Sequence, residues 1–235
     1  MKTLLHSSLL AGAIALFAPA AQAGDNVVMV ELFTSQGCSS CPPADHNLAE
    51  LADRSDVLAL SMHVDYWDYL GWRDTFGRPE NTERQYEYRR LMGARVVYTP
   101  QMIVQGAVDV PGYRPDMIEA AIAKASQNAR EAGIRINHND GMLEASITGT
   151  GAPRDCVIWM TSYDKVAEVD IERGENAGKK ITYHNVADNL MRIGPWQGGS
   201  DQTINLPKPD AGQGVAVWIQ NGKTGEILAA SFIEG

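Results

Sequence analysis

Two thiols separated by two serines, Cys38-Ser39-Ser40-Cys41, are the residues of this chain best placed to do chemistry. The run Val27 to Phe33 predicts a buried strand, Gln36-Gly37 breaks it, and a helix is expected to open at the two cysteines. Both sulfurs then sit where a strand hands over to a helix N-terminus. Unpaired backbone N–H groups and the helix dipole favour a thiolate there, lowering a free thiol from about 8.5 to as little as ~3.5–7.5. Such a pair can cycle between dithiol and disulfide, with Cys38 exposed and attacking and Cys41, one turn further in, buried and resolving. Other uses of this spacing remain open. Cys38, Cys41, His46 and His63 make a conceivable copper or zinc set, although zinc sites of this kind usually draw on two such cysteine pairs. An inert bridge is the other alternative, but it would close only a very short loop, where a disulfide contributes least.

The elements that must position these thiols alternate between strand and helix from Asp25 to Gly133. A second buried strand is expected over Asp56 to Val64, ending in the aromatic and acidic cluster His63 to Tyr69. Gly71, Gly77 and Pro79 then read as loop punctuation, and Thr82 to Gln85 fits a capping box that opens a helix ending at Gly93. Val96 to Gly106 reads as a strand interrupted by Pro100. A proline removes a ladder donor, so Pro100 must sit at the strand's start or edge, and the Thr99-Pro100 bond is one at which a cis peptide is cheap. Ala107 to Val110 continues as a short strand, and a helix from Pro115 to about Glu131 closes at Gly133. Beyond it the pattern becomes all-β: about seven short strands in 100 residues, with Asn139-Asp140-Gly141 as a hairpin signal, suggest a sandwich.

Strand, C-x-x-C-Pro at a helix start, strand, helix, Thr-Pro into a strand, hairpin and helix together resemble the thioredoxin fold over about residues 24–133. The pairing of Cys38-Ser39-Ser40-Cys41-Pro42 with Tyr98-Thr99-Pro100-Gln101 is more specific than either half. The resemblance implies that Cys38 attacks, that Cys41 resolves, and that Pro100, following a cis bond to Thr99, lies beside the cysteines and offers backbone to a substrate peptide. Glu31 stands as the candidate for the buried acid that moves protons beneath the dithiol, with a spacing one residue longer than in thioredoxins. Trp67 is a candidate for the substrate-binding rim. The whole mature chain is also similar to a secreted bacterial thioredoxin-like family catalogued as domain of unknown function 1223. The absence of a Trp before Cys38, the Ser-Ser spacer, the long Asp65 to Gly93 connection and the β-rich second half, 134–235, are departures from ordinary thioredoxins.

Composition bounds the partners. Residues 1–23 read as a secretory signal peptide: Lys2, an apolar run from Leu9 to Phe17, and the small-residue site Ala21-Gln22-Ala23. Their removal takes one lysine and no acid, moving the net charge from −9 to −10. An acidic surface disfavours nucleic acid, and no later stretch is long and apolar enough for a membrane span. A periplasmic or secreted location follows, where disulfides persist and three cysteines make one pair with Cys156 left over as a small buried residue. The expected function is an extracytoplasmic thiol-disulfide oxidoreductase acting on protein or peptide thiols with a redox partner protein, and needing no cofactor or metal. A non-enzymatic binding module with an inert disulfide, or a metallochaperone, are the alternatives. Arg173 to Lys179 reads as a solvated hairpin turn, the alternative being that Arg173, Glu175, His184 and Asn185 dock the β-rich half on the first half or bind a partner.

Overall fold

The computed structural model describes residues 27–235 except 129–130, 140–141, 150, 152 and 154. The leader read at 1–23 and the centre of the Asn139 to Gly141 turn lie outside the described residues. In the first half, β1 (Val28–Thr34), α1 (Pro42–Ala52), β2 (Val57–His63), α2 (Pro79–Leu91), β3 (Gln101–Val104), β4 (Val108–Pro111) and α3 (Pro115–Ser126) follow in order. The second half runs β5 (Gly133–Asn139), β6 (Met142–Thr148), β7 (Cys156–Asp170), β8 (Lys180–Trp196), β9 (Gln202–Leu206), β10 (Gly214–Asn221) and β11 (Ile227–Ile233).

Each of the three helices begins on a proline, which has no N–H to leave unsatisfied and a backbone angle already set for a helix. This explains one departure from expectation. α2 starts at Pro79, not Thr82, and the Thr82 hydroxyl bonds Asp65 Oδ1 at 2.7 Å instead of capping its own helix. The strand expected from Val96 begins only at Gln101, after the cis Thr99–Pro100 bond.

Eight strands form one mixed sheet in the order β11-β10-β7-β8-β2-β1-β3-β4, and β5-β6-β9 form a smaller antiparallel sheet. The boundary expected near Gly133 falls between α3 and β5, and strands from both sides of it share the large sheet. The join is β8 running parallel to β2 at Ser61 and Val186, reinforced by Asn185 Nδ2 donating to the Ala59 carbonyl at 2.9 Å. The small sheet packs its apolar residues, including Ile134, Ala145 and Leu206, against Ile158, Val217 and Ala229 of the large one.

Alternation along β1 and β2 divides the first half's core into two faces. Val28, Val30 and Leu32 meet Ala44 and Leu48 of α1 and Ile118 and Ile122 of α3. Met29 and Phe33 face the other way, toward Tyr88 of α2 and Trp159 and Trp218 of the second half. Even positions of β1 and odd positions of β2 therefore look toward α1, at whose entrance Cys38 and Cys41 lie.

Candidate functional site

β1 delivers the chain to a tight turn at Ser35 to Cys38, in which the Cys38 N–H donates to the Ser35 carbonyl at 3.1 Å and the Gly37 N–H to Ser35 Oγ at 3.1 Å. Cys38 and Cys41 are joined as a disulfide. Cys41 is the N-cap residue of α1 and Cys38 lies in the turn before it, so the sulfurs sit at the helix entrance rather than within its first turn. Ser39 and Ser40 are exposed, but Cys38 retains only 5% of its accessible surface and Cys41 none. The expectation of an exposed Cys38 is thus corrected: the turn folds its side chain inward and leaves the two serines outside.

Two further loops close around this turn. Trp67 lies against Gly37, where a β-carbon would meet the Trp67 Cβ and carbonyl oxygen at 3.3 Å, and its Nε1 donates to Thr99 Oγ1 at 2.8 Å. Pro100 sits beside the start of α1. A β-carbon on Gly112 would lie 2.8 Å from Ala44 Cβ and 3.2 Å from Pro100 Cβ, and Asn47 Nδ2 donates to the Gly112 carbonyl at 2.9 Å. Trp67, Thr99, Pro100, Cys38 and Cys41 are therefore gathered around one helix end.

Beneath the turn lies a sealed polar cluster built from the α1-facing positions of both strands. Thr34 donates to Asp45 Oδ1 at 2.7 Å, and the Asp45 N–H bonds the Cys41 carbonyl at 3.1 Å, placing Asp45 one helical turn below Cys41. Burial pushes the Asp45 carboxyl up to about 7, against the opposing pull of His63 and the Thr34 hydroxyl, with Asp74 adding to the rise. His63 Nδ1 lies 2.8 Å from Asp74 Oδ2, which also accepts the Gln36 N–H at 2.7 Å. Although burial opposes it, His63 and the Gln36 and Phe76 N–H groups hold Asp74 below the usual carboxylate range. Tyr183 of β8 stacks edge-on to His63 with ring centroids 4.8 Å apart, its phenol raised by burial and by Asp45 and Asp74. Asp45 Oδ2, His63 Nε2 and the Tyr183 hydroxyl accept or donate no hydrogen bond among the described residues.

The model of a family described as protein of unknown function (DUF1223) matches residues 29–220, which include every residue of this site. The chain belongs to that family. Among solved structures, this DUF1223 member is similar to an Agrobacterium tumefaciens protein determined by X-ray crystallography as a structural genomics target. The two are 36% identical, with a TM-score of 0.76, over 91% of this chain and 96% of that one. It is also similar in fold to HBP35 of Porphyromonas gingivalis, at 13% identity and a TM-score of 0.64, over 89% of this chain and 75% of that one. No curated protein matches the chain.

Glu31 is not where the sequence reading put it. As an odd position of β1 it points away from α1 into the opposite face of the sheet. There its carboxylate pairs with the buried Arg84 guanidinium and accepts the Tyr88 hydroxyl. Arg84 in turn lies over the Trp159 and Trp218 rings at 4.9 and 5.0 Å. Glu31 and Arg84, both of the first half, form a core ion pair covered by Trp159 and Trp218 of the second, and the acid under the cysteine pair is Asp45. The signal was available in two spacings: Thr34 has the parity of Leu32, and Asp45 follows Cys41 by four residues.

The conceivable metal set is not brought together either. His46 stands on the exposed face of α1 near Glu50, whereas His63 is sealed against Asp74. Among the described residues no group of three or more His, Cys, Asp or Glu side chains is placed to hold a metal. Cys156 is buried, and its thiol donates to the Pro153 carbonyl at 3.1 Å. The Arg173 to Lys179 turn differs from the solvated loop expected: Asn176 is buried and reaches back to the cysteine turn.

Proposed function

We propose that this DUF1223 protein is an extracytoplasmic thiol-disulfide oxidoreductase acting on protein or peptide thiols through Cys38 and Cys41, on a thioredoxin-like first half. The observation that carries the reading is a disulfide at the entrance of α1 with an ionisable carboxyl, Asp45, buried one turn beneath it. Perturbed carboxyls concentrate at functional sites because function is what offsets their cost in stability.

In the reducing direction the Cys38 thiolate attacks a substrate disulfide, forming a mixed disulfide and releasing one substrate thiolate. Cys41 loses its proton to Asp45, attacks the Cys38 sulfur, releases the second substrate thiolate and closes the protein disulfide. Two electrons pass from the dithiol to the substrate, and the same steps reversed oxidise a substrate dithiol. Asp45 suits the proton step because a carboxyl near 7 exchanges protons readily at neutral pH. The edge formed by Trp67, Thr99 and Pro100 is the substrate-binding rim. Thiol chemistry of this kind needs no cofactor, and the leader read at residues 1–23 supports export to an oxidising compartment.

The low exposure of Cys38 favours a second reading, in which the bridge is inert and the protein is a binding module. Disulfide reduction of insulin, with dithiothreitol as electron source, separates the two. Catalysed turnover that is lost in Cys38→Ser supports the oxidoreductase, and turnover no faster than dithiothreitol alone supports the binding module.

A further inference from the structure

The tip of the β7–β8 hairpin contacts the cysteine turn from 138 residues further along the chain. Asn176, with 1% of its surface exposed, donates through Nδ2 to two carbonyls of that turn, Gln36 and Cys38, each at 2.9 Å. Its Oδ1 accepts the Lys179 ammonium at 2.8 Å. The Cys38 carbonyl also accepts the Cys41 N–H at 3.2 Å, so it is held from both sides. We infer that Asn176, polarised by Lys179, is a positioning residue that tunes the Cys38/Cys41 couple toward the dithiol form. The inference rests on the oxidoreductase reading above.

Carbonyl oxygens carry partial negative charge, and two of them border the turn on which a thiolate forms when the disulfide opens. Donors aimed at those oxygens oppose that charge. A cation on the far side of the donating amide strengthens both bonds, because linked hydrogen bonds polarise one another. Fifteen residues of β7 and seventeen of β8 carry this amide to the site, so the second half of the chain contributes directly to the chemistry of the first. Lys179 itself is exposed and acts through Asn176 Oδ1.

The test is redox equilibration of the full mature chain in glutathione buffers, with the dithiol fraction read by thiol alkylation. One protein disulfide and two glutathione thiols give two cysteine thiols and one glutathione disulfide; one S–S bond breaks, one forms, and two electrons and two protons reach the protein. Asn176→Ala is expected to shift the equilibrium constant about tenfold toward the disulfide, about 30 mV. Lys179→Met is expected to shift it two- to threefold in the same direction, an effect that disappears in 1 M salt. Should Asn176→Ala fail to fold, Lys179→Met at an exposed position carries the test alone. A constant within 1.5-fold of wild type for folded Asn176→Ala and for Lys179→Met overturns the inference while leaving the oxidoreductase reading intact. A wild-type disulfide that no glutathione ratio opens reversibly overturns both.

Discussion

Replacing Asp45 by asparagine should stabilise the protein at alkaline pH and flatten its stability between pH 4 and 8. The Asp45 carboxyl rises from 3.8 to about 7 on folding, chiefly because burial disfavours its charged form. Between those values the folded chain holds a proton that the unfolded chain has released. Stability contributed by the neutral carboxyl is therefore complete below about pH 4, falls as pH rises, and is lost once pH passes about 7. A shift of this size corresponds to about 4 kcal/mol, a large part of the ~5–15 kcal/mol that holds a domain folded. Asparagine keeps an oxygen for the Thr34 hydroxyl and has no charge to bury. Urea unfolding of the oxidised protein, followed by circular dichroism from pH 4.5 to 8.5, should show the variant gaining on wild type by about 3 kcal/mol across that range. Asp74 does not obscure the window, because a carboxyl held below 3.8 loses its stabilising effect only as pH falls further. A wild-type to variant difference that stays constant within about 1 kcal/mol from pH 4.5 to 8.5 would refute the buried-acid argument.

Three other outcomes are expected. With a peptide disulfide as substrate, Cys41→Ser should accumulate a mixed disulfide on non-reducing gels and release one peptide thiol, while Cys38→Ser accumulates none; equal trapping by both would remove the assigned order of attack. Glu31→Gln should cost about 3–5 kcal/mol by leaving the Arg84 charge buried without its partner, yet keep the glutathione equilibrium constant within twofold of wild type, because the pair lies across the sheet from α1. A large change in that constant would return Glu31 to the site. Gly112→Ala should cost about 1–3 kcal/mol in chemical denaturation, since its methyl group would stand 2.8 Å from Ala44 Cβ, between α1 and the Pro100 loop. An unchanged midpoint would mean that the two elements separate freely.

The sequence made the dithiol and its helix legible because their signals are local. A β-branched run, a Gly turn, two cysteines and a proline lie within 17 residues, and DUF1223 membership agrees with the family resemblance drawn for the whole mature chain. Asp45 is equally local, and its spacing from Cys41 places it one turn below the cysteines, but nothing near it in sequence announces that Thr34, His63 and Tyr183 will enclose it. Glu31 was favoured on its distance from Cys38 along the chain, although the two-residue period of a strand sends it to the wrong face. Asp74 lies in a connection without a strong pattern and is fixed by its contact with Gln36, whereas Trp67, legible as a rim candidate in its aromatic cluster, is fixed by Thr99. Strand pairing between β2 and β8 was hidden for a related reason. Parallel pairing across more than 120 residues leaves no mark in either strand beyond its being buried.

That pairing bears on what the β-rich half is for. A separate domain on a linker could influence the thiols only by finding and docking on them, at an entropic cost each time. Here β8 is an interior strand of the same sheet that carries the cysteine turn, with β2 between it and β1. Asn185 ties β8 to the Ala59 carbonyl, and Tyr183, two residues earlier, closes the cluster around His63. Asn176 at the hairpin tip meets the turn itself. Three side chains within ten residues thus act at three depths of one site, and the ordering cost of bringing them there is met once, when the sheet forms. A chain ending after α3 would lack all three, exposing His63 and leaving the carbonyls of Gln36 and Cys38 without the Asn176 amide. The second half is part of the candidate site by construction, which is why the redox equilibrium should respond to a substitution at the hairpin tip.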